Sequence, residues 1–181
     1  MKLPLRDTEH TYGLVTRVLH WSMALVFGWQ FLGMIVKITV GRSPLTALLV
    51  GTHKTAGLLL LTLALLRVLW ALRNAQRRPA YGLAMNGKLA KLGHFALYAL
   101  MLLIPSLALL RQFGSGKDFT VLGVTLMQET GIEVGWMVAP ADLLHGILAW
   151  ILLALILGHI LMALVHRYYL KDQVFARMAG K

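Results

Sequence analysis

Four long apolar runs divide the chain, and the stretches between them are polar and mostly basic. The first run covers 18–36, 19 residues without a charge. The second, 45–72, is interrupted by His53 and Lys54 and carries Arg67 near its far end. The third, 92–110, contains Pro105, which removes one helical hydrogen bond and is expected to bend its helix. The fourth, 143–165, is the longest of the uninterrupted runs at 23 residues. Each is close to the ~20 residues that a helix needs to cross the hydrocarbon core. The pattern predicts an all-α, integral membrane four-helix bundle, with 1–181 forming a single domain.

Between the runs, 37–44 reads as a short turn and 73–91 as a basic loop containing proline. The stretch 111–142 is longer, rich in glycine and half apolar, and its pattern assigns it no element. No internal repeat is present. A cleavable signal peptide is not expected, because the first run follows a stretch of mixed charge and is too long for a signal core.

Composition agrees with lipid as the solvent. The chain is 58% hydrophobic and 14% charged, and its mean hydropathy is +0.70. Soluble domains are nearer half apolar and a quarter charged. Cysteine is absent, which excludes disulfides, thiolate metal sites and covalent haem attachment through C-x-x-C-H. The net charge of +11 would suggest nucleic acid on a soluble fold, but the basic residues lie between apolar runs and report topology instead. Thirteen Lys and Arg fall on the side of the two termini and five on the other, so both termini are expected in the cytoplasm.

Ionisable residues at membrane depth are costly, and by default they mark a site. His20, His53, His145 and His159 all lie within or just inside the apolar runs. A histidine in a span can simply bond a neighbouring carbonyl, but four in a chain this small require a common explanation. Their depths make two pairs. His20 and His159 lie toward the cytoplasmic ends of the first and fourth runs, and His53 and His145 toward the outer ends of the second and fourth. His145 and His159 are separated by about 21 Å of helix rise and almost four whole turns, so they share a face. Four positions after these histidines stand Ala24, Gly57, Ala149 and Ala163, small neighbours beside which a planar macrocycle can lie.

Two neutral imidazoles in an apolar bundle suit a haem iron; a zinc or iron transporter would carry carboxylates in its spans. Propionates need cations, and Arg17, Lys54 and Arg67 stand at suitable depths, where they also read as ordinary span-end charges. His94 fits a quinone or proton contact better than an axial ligand. His166 could compete as inner ligand, but His166-Arg167-Tyr168-Tyr169 reads as an interfacial belt. His10 reads as exposed.

The chain resembles the bacterial cytochrome b561 family, which is related to the cytochrome b subunits of hydrogenases and formate dehydrogenases. The resemblance rests on Thr16-Arg17-Val18-Leu19-His20-Trp21, on His53-Lys54-Thr55-Ala56-Gly57 followed by Leu66-Arg67, and on Gly93-His94 with Tyr98 and Pro105. It is strongest from His145-Gly146-Ile147-Leu148-Ala149-Trp150 through His159 to His166, Lys171-Asp172 and Arg177-Met178. Two departures stand out: Ser106-Leu107-Ala108 where the family usually has a glycine, and Gly146 where it often has glutamate.

The resemblance implies iron of two b-type haems (haem b) held by His20, His53, His145 and His159. It also implies transmembrane electron transfer in a bacterial inner membrane, as a quinone-linked oxidoreductase with ubiquinone as substrate. Lys37, Arg42 and Lys54 near the outer pair make superoxide a candidate reductant on that side. The alternative is a membrane-anchor subunit relaying electrons for a dehydrogenase or hydrogenase. Expected partners are lipid, quinone, and either a soluble redox protein or superoxide; a homodimer is compatible with the pattern, and nucleic acid is not.

Overall fold

The computed structural model describes residues 4–81 and 85–180. In chain order it contains α1 (Leu14–Val40), α2 (Pro44–Gly51), α3 (His53–Arg73), α4 (Met85–Gly114), β1 (Phe119–Val121), β2 (Val124–Met127), α5 (Gly135–Tyr168) and α6 (Val174–Ala179). Four stretches are long and apolar enough to cross a membrane: Leu14–Val40, Pro44–Arg73, Asn86–Gly114 and Gly135–Tyr168. The protein is a helical membrane bundle, as the apolar runs required.

The second span is two helices, and local chemistry explains the join. Ser43 accepts from the Thr46 backbone N–H at 3.1 Å, and Pro44 follows in the first turn, so α2 starts with a hydroxyl cap and a preset φ. Thr52 alone separates α2 from α3. Its hydroxyl donates to the Leu49 carbonyl at 2.9 Å and accepts from Trp29 Nε1 at 2.8 Å, which ties the join to α1. His53 therefore opens a helix instead of interrupting one.

The third span runs unbroken through Pro105, and the Ser106 hydroxyl donates back to the Leu102 carbonyl at 2.7 Å. The stretch 111–142 resolves into three parts. Its start finishes α4, and its middle is the antiparallel hairpin β1–β2, turning at Leu122 and Gly123 with φ of 51° and 83°. Its end is the first turns of α5, which begins eight residues before the apolar run at 143.

Helix α4 packs along α5 and α1 along α3, with α3 and α4 joining the two pairs. One core cluster holds Met23, Leu60 and Ala64, and the other Leu97, Ile104 and Leu152; Phe27 and Met101 pack against both. At most 11% of any span's most apolar window is buried. The leucines left outside suit lipid, and van der Waals packing of these two clusters, with close approach at small residues, joins the helices. At Gly33 a Cβ would come 3.3 Å from Leu49 Cβ, so α1 and α2 meet almost backbone to backbone.

The Tyr12 N–H donates to the Arg177 carbonyl at 3.2 Å, so the N- and C-terminal segments lie together at one end of the bundle. On the expectation from the charge count, this is called the inner end. There Asp7, 2% exposed, accepts from the Gly13 N–H at 2.9 Å and the Thr16 hydroxyl at 2.6 Å, and pairs with Arg78 Nε at 2.9 Å. Breaking a buried pair from one side strands the other charge, at about 3–5 kcal/mol. Asp7→Ala is therefore expected to lower the thermal midpoint of the detergent-solubilised protein far more than Glu9→Ala; equal shifts would show that the pair does not hold this end together.

Candidate functional site

Two pairs of imidazoles face each other across the bundle at two depths. At the inner end His20 on α1 and His159 on α5 have ring centroids 6.3 Å apart and planes at 74°. At the outer end His53 on α3 and His145 on α5 are 6.2 Å apart at 70°. These are the combinations that the depths along the helices demanded. Helix α5 supplies one member of each pair, because 14 residues return a side chain to nearly the same face about 21 Å further on.

The outer pair opens into a cavity of about 690 Å³, lined by His53, His145, Phe27, Phe31, Gly57 and Ala149 among others. Cofactor sites commonly measure about 300–1,000 Å³. Gly57 and Ala149, one turn after the two histidines, stand where a larger side chain would reduce this space. Lys37, Lys54 and Arg111 line the cavity as well, and Arg42 does not. Lys54 Nζ donates to Gln112 Oε1 at 2.9 Å, and Arg111 pairs with Asp142. Gln112 in turn donates to the Lys117 and Asp118 carbonyls, both at 3.1 Å, which anchors the base of the hairpin to the cavity rim.

At the inner end a third imidazole approaches. The His94 ring lies 5.2 Å from that of His159 and 5.6 Å from Tyr81. Its Nδ1 is 2.8 Å from the Ala90 carbonyl; a carbonyl only accepts, so Nδ1 carries the proton and Nε2 keeps its lone pair.

The three cations from the sequence part ways. Lys54 faces the outer cavity, as above. Arg67 is 9% exposed and lies at the level of the inner pair. Its Nη1 donates to the carbonyl of Thr16, one turn before His20, at 3.1 Å. Its Nε donates to the hydroxyl of Tyr98, one turn after His94, at 3.0 Å. No carboxylate pairs with it among the described residues. Arg17 is engaged elsewhere. It donates to the Tyr12 carbonyl at 3.0 Å, the Thr11 hydroxyl at 2.8 Å and the Arg177 carbonyl at 2.9 Å, so it fastens the C-terminal segment.

His166 is paired with Asp172 at 2.6 Å. That contact, outside the two facing pairs, agrees with its reading as an interfacial residue.

Sequence reasoning passed over Gln30, Gln112 and Tyr81. Gln30 had a readable signal, an amide alone in a 19-residue uncharged run. The other two act through contacts that no local pattern announces. Burial raises the phenol of Tyr12, at the inner surface, above its ordinary pKa, so it stays a neutral donor.

Chemically, the two pairs have too few ligands for a bare ion. No three His, Asp or Glu side chains converge on one point among the described residues, whereas zinc and similar ions take three or four. Two facing imidazoles would suit a metal that arrives with a macrocycle supplying its other ligands.

The model of the family described as "Prokaryotic cytochrome b561" matches residues 11–181. The chain is also 30% identical over 184 residues to "Cytochrome b561 homolog 2" of Escherichia coli (strain K12), covering 97% of this chain and 94% of the relative.

Proposed function

The chain belongs to the prokaryotic cytochrome b561 family, whose work is transmembrane electron transfer with b-type haem, and from that premise we propose that it holds two haems at two depths and exchanges electrons with the membrane quinone pool. His20 and His159 would hold the inner haem, and His53 and His145 the outer one. When bound, such a group supplies a one-electron iron couple.

The observation that carries this reading is the ring spacing. With iron–nitrogen bonds of ~2.0 Å, as for other imidazole–metal bonds, and about 1.1 Å from nitrogen to ring centre, two trans imidazoles have centroids roughly 6.2 Å apart. The measured values are 6.3 and 6.2 Å. His94 and His159, at 5.2 Å, are too close for an iron between them. Arg67 gives a second support, since a buried guanidinium without a carboxylate calls for an anion, and a haem propionate is one. Lys54, exposed and bonded to Gln112, is a cation within reach of a propionate at the outer site.

The imidazoles would hold the iron, the small residues at 57 and 149 would leave room for the ring, and the apolar helices would exclude water. The cationic rim of Lys37, Lys54 and Arg111 favours a small anionic reactant such as superoxide at the outer end. Quinone exchange, with ubiquinone as the substrate, takes place within the bilayer. The excess of Lys and Arg at the shared end of the two termini supports a bacterial inner membrane location with that end cytoplasmic. A role as anchor subunit for a dehydrogenase or hydrogenase remains the second reading, and a soluble subunit that co-purifies stoichiometrically would favour it.

Purified protein is expected to contain two haems per chain by pyridine haemochrome assay, both low-spin. One haem per chain, or a mainly high-spin signal, would reject the two-pair assignment.

A further inference from the structure

Among the described residues three of the buried polar side-chain atoms without a hydrogen-bond partner are Gln30 Oε1, His53 Nδ1 and His145 Nδ1. All three residues line the outer cavity. Orphaned polar atoms are rare in folded proteins and each asks for a reason. An amide in the middle of a membrane span asks for one twice over.

Gln30 is held in place from one side. Its Nε2 donates to the His53 carbonyl at 3.1 Å. This bond settles which way the amide points, because the reversed amide would set two carbonyl oxygens against each other. Gly57, on the His53 face one turn later, leaves the amide room; a Cβ there would lie 3.5 Å from Gln30 Nε2. The carboxamide is thus fastened to the backbone of His53, and its free oxygen lies in the same cavity as the free Nδ1 of that histidine. An imidazole bound to iron through Nε2 must carry its proton on Nδ1, and histidine ligands almost always donate that proton to an oxygen acceptor. Gln30 Oε1 is such an oxygen, buried and unpartnered on a side chain fastened to the His53 backbone; no bond joins it to His53 Nδ1 in this structure, so the imidazole would have to turn to donate to it.

We propose that Gln30 is the positioning residue of the outer axial ligand His53, its carboxamide oxygen being the acceptor that holds the Nδ1–H and leaves Nε2 for the iron. This rests on the proposed haem between His53 and His145. The hydrogen bond fixes the tautomer and the ring orientation, and it makes the imidazole a stronger electron donor. A stronger donor favours ferric iron, so the bond holds the outer midpoint potential down.

The test is an optical redox titration of the full chain in detergent, with Gln30→Leu and Gln30→Glu beside the unchanged protein. His53→Ala first identifies which spectral component is the outer one. In Gln30→Leu the outer midpoint is expected to rise and the inner one to stay. A tenfold change in the relative affinity for the two iron states, the low end of what losing such a partner costs, is about 59 mV for one electron. In Gln30→Glu the Nε2–H bond to the His53 carbonyl is lost, and the carboxylate lowers the outer midpoint by its charge alone. A fall therefore counts for the inference only together with a shift in the outer haem's low-spin EPR g values, which report donation by the imidazole. A residue that merely filled space would not move the potential in opposite directions. Unmoved midpoints in both variants, or a shift confined to the inner component, overturn the inference. If the leucine variant loses its outer haem, the glutamate variant decides alone: a fall with shifted g values supports the inference, and unchanged g values defeat it. Should the unchanged protein itself lack two low-spin haems, the site reading fails, and that result is separate from any result on Gln30.

Discussion

Single alanine substitutions at the four paired histidines are expected to fall into two groups. His20→Ala and His159→Ala each abolish the same spectral component and keep the other; His53→Ala and His145→Ala do the reverse. The grouping follows from distance. Two imidazoles on one iron have ring centres about 6 Å apart, as the pairs His20–His159 and His53–His145 do. The crossed combinations would have to bridge the ~21 Å of helix rise between His145 and His159. His94→Ala belongs to neither group and is expected to keep both components, since its ring stands too close to that of His159 to admit iron between them. Low-temperature spectra of the purified variants, with haem counted per chain, decide the matter. If His20→Ala and His53→Ala erased the same component, both the pairing and the topology beneath it would fail.

The two pairs could be read in the sequence because they depend only on depth and helical pitch. Span ends set the depth of a residue, and the 3.6-residue turn sets its face, so a 14-residue separation on one apolar run says almost everything about His145 and His159. The same logic made the four spans legible. Features that arise between distant segments were not. Arg17 looked like a span-end cation suited to a propionate, but its guanidinium reaches a carbonyl 160 residues away. Tyr81 sits in what reads as a basic loop, and only folding brings it over His94.

The stretch 111–142 hid its hairpin for a different reason. Its strands are three and four residues long, too short for alternation to declare itself. The early start of α5 was hidden because Asp142 closes off the uninterrupted apolar run; the helix passes through Pro140 although proline has no N–H to give the Trp136 carbonyl.

Arg67→Met is expected to lower the midpoint potential of the inner haem while leaving the outer one in place. Reduction of haem iron adds one negative charge, and a nearby fixed cation stabilises that state. Arg67 is buried, bonded to Thr16 and Tyr98 beside the inner pair, and unmatched by any carboxylate among the described residues. A unit charge on the order of 10 Å from the iron, at an effective dielectric of about 20, contributes about 1.7 kcal/mol. For a one-electron couple that is roughly 70 mV. Methionine keeps much of the side-chain volume, so the packing of the helices is largely retained and the charge is the main thing removed. Arg67→Lys keeps the charge but loses the forked donors, and its potential should stay close to that of the unchanged protein even where its thermal stability falls. These two readouts separate the electrostatic role from a structural one: lost hydrogen bonds to Thr16 and Tyr98 lower the melting temperature in both variants, but only the lost charge moves the potential. An inner midpoint that stays put in Arg67→Met, or rises, would mean that the guanidinium serves the helix packing and answers no charge on the haem.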